Sequence, residues 1–71
     1  MSLADNASHR ARFQQRIQTV ILEIEDIRDE IMVSQQHKPG PPTSTHLEWA
    51  DFHLAEAIEE IRRASARIGQ I

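Results

Sequence analysis

Residues 17–31 read IQTVILEIEDIRDEI. Isoleucine or valine recurs at 17, 20, 24, 27 and 31, in steps of three and four. Such steps place side chains on one stripe of a helix, whereas a strand alternates in twos. Read as heptads, Ile17, Val20, Ile24, Ile27 and Ile31 take every inward position, and Phe13 continues the row toward the N-terminus. No glycine or proline falls between residues 6 and 36, so the spacing predicts one long helix over about that range. Asp5, Asn6 and Ser8 are its candidate N-caps.

The pattern stops at Lys38-Pro39-Gly40-Pro41-Pro42. Pro39 disfavours right-handed helical angles at Lys38, and the glycine with two further prolines completes the break, giving a turn over about 37–45. A second run then alternates Leu47, Leu54, Ile61 and Ile68 with Ala50, Ala57 and Ala64. Thr45 with Glu48 three residues on has the form of a capping box, so the second helix is expected over about 46–68, ending near Gly69. The predicted fold is all-α: one domain spanning 1–71, a two-helix antiparallel hairpin.

Seventy-one residues sit near the lower limit for independent folding, and two helices cannot surround a core. The chain has no cysteine, so neither a disulfide nor a thiolate metal site can staple it. Self-association is the remaining route. A homodimer forming a four-helix bundle is therefore expected, with Ile17, Val20, Ile24, Ile27, Ile31, Ala50, Leu54, Ala57, Ile58, Ile61, Ala64 and Ile68 at the bundle or dimer interface. Small residues seven apart on the second helix permit a close neighbour, whereas bulky rows hold helices about 10 Å apart.

Net charge is −3, from eight Lys/Arg against eleven Asp/Glu, which does not indicate bulk preference for nucleic acid. The charges are segregated, however. Folding back the hairpin gathers Arg10, Arg12, Arg16, Arg62, Arg63 and Arg67 at the end away from the turn. Most carboxylates lie elsewhere along it, Glu23, Glu25, Asp26, Asp29, Glu30, Glu48 and Asp51 among them. Acids early and bases late suit the macrodipole of the second helix, with Glu59 and Arg63 at a favourable i,i+4 spacing. The first helix has the opposite order. An antiparallel second copy, basic end against acidic end, would use those charges. So would an anionic partner, and nucleic-acid binding through the six terminal arginines is the alternative function.

Trp49 and Phe52 fall outside the inward row, three residues apart on one helix face, and Met32 and Val33 lie off the seam near the same turn. Together they are the candidate partner-binding residues, since clustered exposed aromatics mark contact sites. Chemistry is poorly supported. His46 and His53 are seven apart, about 10.5 Å along a helix, too far to share one ion. His53 with Glu56 offers at most half a site. The carboxylates of Glu23-x-x-Asp26 and Glu56-x-x-Glu59-Glu60 lack any accompanying phosphate-cradling glycine loop, and no Ser-His-Asp or Cys-His set stands out. The expectation is a non-catalytic interaction module, an adaptor, regulator or chaperone-like protein, with no cofactor and no metal. No apolar run approaches the roughly 20 residues of a membrane span, and the start shows no secretory signal. A cytoplasmic location is expected by default.

Overall fold

The computed structural model describes residues 3–70, with side chains from residue 8 onward. Helix α1 spans Leu3–Gln36 and helix α2 spans Thr43–Gly69, and the two pack against each other as a hairpin 57 Å long and 15 by 12 Å in section. The all-α hairpin is as the heptads foretell. Helix α1 begins earlier than expected, already formed at Leu3. Ser8 lies inside it, and the side chains of Asp5 and Asn6 fall outside the described residues.

The turn is tighter than the sequence suggests. Lys38 adopts φ 54°, in the left-handed region, and so takes the helix-ending position that glycine usually fills. The amides of His37 and Lys38 donate to the carbonyls of Ser34 and Gln35 at 3.1 and 3.0 Å, closing α1. Helix α2 starts at Thr43, two residues before the anticipated cap. Pro42 is its N-cap and makes no side-chain capping bond. Instead the carbonyls of Gly40 and Pro42 accept from the amides of Ser44 and His46 at 3.3 and 3.0 Å. With the first turn already wound by the prolines, Thr45 is inside the helix and its expected capping box with Glu48 does not form. At the far end, Gly69 is right-handed and still helical. Its lack of a side chain serves close approach, since a Cβ there would sit 3.2 Å from Gln14 Nε2.

Four layers fix the register of the two helices. Gln14 Nε2 donates to the Ser65 carbonyl at 3.5 Å. Arg28 grips Asp51 through two bonds, Nε to Oδ1 at 2.9 Å and Nη2 to Oδ2 at 3.5 Å. Gln35 Nε2 donates to the Ser44 carbonyl at 3.1 Å. Each step of seven along α1 is matched by a step back of seven along α2, so Ile21 stands level with Ile58 in the remaining layer. Those two are the buried hydrophobic residues among the described ones, each 4% exposed. Between the layers, Ile17, Ile24 and Ile31 of α1 and Leu47, Leu54, Ile61 and Ile68 of α2 are half-buried.

The seam within the hairpin is thus rotated from the row that the sequence makes most visible. It runs through Gln14, Ile17, Ile21, Ile24, Arg28, Ile31 and Gln35. Val20 and Ile27 stand beside it, 43% and 46% exposed, while Ile21, which that row passes over, is buried. Three of the four layer positions on α1 are polar. Such residues cost stability relative to leucine but specify pairing, because a shift by one heptad would set Ile21 against Asp51 and leave Arg28 without its carboxylate.

Candidate functional site

Rotation of the seam gives the hairpin two unlike flanks. On one, Phe13, Val20 and Ile27 project from α1, 43–46% exposed, beside the row Ala50, Ala57 and Ala64 of α2. The first two alanines are half-buried and the third is exposed. A shallow groove between the helices is lined here by Phe13, Arg16, Ile17, Val20, Ile61, Ala64 and Ile68. Of the expected interface residues, Ile17, Val20, Ile61, Ala64 and Ile68 line this groove, whereas Ile58 is taken into the seam and Ile31 lines the groove on the other flank.

The opposite flank is charged. Glu25, Arg28, Asp29, Met32, Gln35, Glu48 and Asp51 border its groove together with Ile31 and Leu47 from the seam, and Arg62 Nη2 lies 3.6 Å from Glu25 Oε1 across the two helices. The Arg28 guanidinium is held above its ordinary, already strongly basic value, first by its hydrogen bond to Asp51 and then by the charges of Asp51, Asp29 and Glu25, which together outweigh the opposing desolvation. Both side chains of that pair are more than a third exposed, so it acts as a register pin rather than as a buried ion pair.

The candidate partner-binding residues border different features of the surface. Met32 belongs to the charged groove, and Val33 borders a depression with Asp26, Asp29, Glu30 and Ser34. Trp49 and Phe52 do cluster, 58% and 51% exposed, with ring centroids 5.9 Å apart edge to face. His53 completes the group, stacked on Trp49 at 5.9 Å and edge-on to Phe52 at 5.7 Å. The i,i+4 spacing of Trp49 and His53 was the available sign of that third ring. The trio occupies the outer side of α2, away from the seam, and Trp49 and Phe52 point away from the apolar face as well.

The arginine end is partly engaged within the chain. Arg62 lies 3.3 Å from Glu59 as well as near Glu25, and Arg63 lies 2.8 Å from Glu60. Both intrahelical pairs are i,i+3, in place of the anticipated Glu59–Arg63 pair, because Arg63 takes the nearer Glu60. Arg12, Arg16 and Arg67 are exposed and Arg10 is half-buried. Among the described residues no three His, Asp or Glu side chains converge where a metal ion could be held, and no helix is long and apolar enough to cross a membrane. Comparison of the chain with protein-family models, curated proteins and solved structures found no match.

Proposed function

We propose that the protein is a non-catalytic helical interaction module, an adaptor, regulator or chaperone-like protein, that works as a homodimer and presents Trp49 and Phe52 to a protein partner. Two hairpins joined through their apolar faces make a four-helix bundle. The observation that carries this reading is the imbalance of burial. Ile21 and Ile58 are enclosed, while Phe13, Val20 and Ile27 stand open beside an alanine row. The chain exposes 5718 Å². A compact monomer of 8.2 kDa would expose about 4,500 Å². The excess, on the order of 1,200 Å², exceeds the ~800 Å² that each partner contributes to a standard interface.

Partner docking at Trp49 and Phe52 is supported by their position, since covering the apolar face leaves them outward. Aromatic pairs of this kind are frequent anchors of protein contacts. The nucleic-acid alternative has weaker support, because carboxylates already flank Arg62 and Arg63. Sedimentation equilibrium over a micromolar to submillimolar range tests the reading. A species of twice the chain mass is expected, and a folded monomer throughout that range would refute the dimer.

A further inference from the structure

We infer that the second copy lies antiparallel to the first, with the two turns at opposite ends, α1 against the partner's α1 and α2 against the partner's α2. This rests on the dimer reading above and adds its arrangement. Two hairpins can join face to face about a two-fold axis in only two simple ways. An axis along the bundle places both turns at one end and sets α1 over the partner's α2. An axis across the bundle places the turns at opposite ends and sets like helices together.

The register selects the second. An axis across the bundle must meet α1 and α2 at the same height. On α1, the row 13, 17, 20, 24, 27, 31 inverts onto itself about residue 22. On α2, the row 47, 50, 54, 57, 61, 64, 68 inverts onto itself, to within one residue or about 1.5 Å, about Ala57. These centres come from the two helices separately. The hairpin sets Ile21 level with Ile58, between layers fixed by Gln14–Ser65 and Arg28–Asp51, and so sets residue 22 level with 57. The two centres coincide in height. Phe13 then meets the partner's Ile31, Ile17 the partner's Ile27, and Val20 the partner's Ile24. Along α2, Ala57 meets the partner's Ala57 on the axis, and Ala50 meets the partner's Ala64.

Charge points the same way. Inversion about residue 22 sets Arg16, on the rim of the apolar groove, level with the partner's Arg28 and about 3 Å along the axis from the level of the partner's Glu30, and sets the arginine end against the acidic half of the partner. The other arrangement would collect the six terminal arginines of both copies at one end.

The chain has no cysteine, which makes the test direct. Ala57→Cys is expected to oxidise to a covalent dimer almost completely at micromolar concentration, because Cβ atoms facing across the axis fall near the roughly 3.5–4.5 Å a disulfide requires. Thr19→Cys, on the outer side of α1, should link only slowly. If A57C does not fold, a mixture of A50C and A64C should give the mixed disulfide in preference to either homodimer. A wild-type dimer in which A57C fails to link, while V20C and A57C link to each other, would overturn the arrangement and leave the dimer standing. A wild-type monomer by sedimentation would overturn both.

Discussion

Ile21→Ala and Ile27→Ala make the same chemical change six residues apart on one helix, yet they should differ sharply. Ile21 is 4% exposed and stands level with Ile58 in the seam, whereas Ile27 is 46% exposed on the apolar flank. Truncating a buried isoleucine costs about 2–5 kcal/mol, and a thin hairpin can settle into part of the space, which puts Ile21→Ala at about 2–3 kcal/mol. For Ile27, only about half of the side chain leaves water within the hairpin and no closed cavity remains, which gives about 1 kcal/mol. The gap, about 1–2 kcal/mol, is roughly a tenfold difference in the unfolding constant. Urea unfolding followed by circular dichroism, at concentrations spanning a hundredfold, separates the two effects. A dimeric native state loses about 2.7 kcal/mol of apparent stability per hundredfold dilution. The cost of Ile27→Ala should therefore be largest where the chain is dimeric and fall toward about 1 kcal/mol where it is monomeric. The rotated seam is refuted if, under monomeric conditions, Ile27→Ala costs as much as Ile21→Ala.

Three further outcomes follow from particular contacts. Trp49→Ala should leave stability within about 0.5 kcal/mol of wild type, as expected of an exposed position, while abolishing capture of a partner by the immobilised protein; cooperative unfolding lost in thermal melts would instead make Trp49 structural. Breaking the Arg28–Asp51 pin by Asp51→Asn should lower Tm by a few degrees at low salt and less at high salt. Because Arg28 is raised, its share of stability is complete below its unfolded value and disappears only as pH rises through the still higher folded one, so Tm measured between pH 6 and 9 should show no loss attributable to it. Lys38→Gly should stabilise by about 0.5 kcal/mol: relief of a left-handed residue, worth about 1 kcal/mol or more, is partly offset by the added freedom of the unfolded chain. A lower Tm for that variant would show that the lysine side chain contributes something its backbone geometry does not reveal.

Much of this architecture is legible in one dimension. The three-four spacing from Ile17 to Ile31, the Lys38–Pro42 break and the Leu/Ala alternation of α2 determine two helices folded into a hairpin, because helical period and proline chemistry are local properties. The outward placement of Trp49 and Phe52 follows from the same period. What the sequence leaves ambiguous is the phase of α1. Val20, Ile21 and Leu22 are consecutive and all apolar, so hydrophobicity alone cannot say which of them faces the other helix.

Tertiary pairing decides that phase, and it does so through polar residues that a search for apolar stripes discards. Gln14, Arg28 and Gln35 are indistinguishable from surface residues until Ser65, Asp51 and Ser44 are set opposite them. Helix α1 then turns Ile21 inward and leaves Phe13, Val20 and Ile27 on a flank of their own. The start of α2 is by contrast a local matter, since the carbonyls of Gly40 and Pro42 accept from amides four residues on and the helix begins before Thr45. Helix formation depends on neighbours a few residues away, whereas the rotation of one helix against another depends on side chains many residues apart meeting in space.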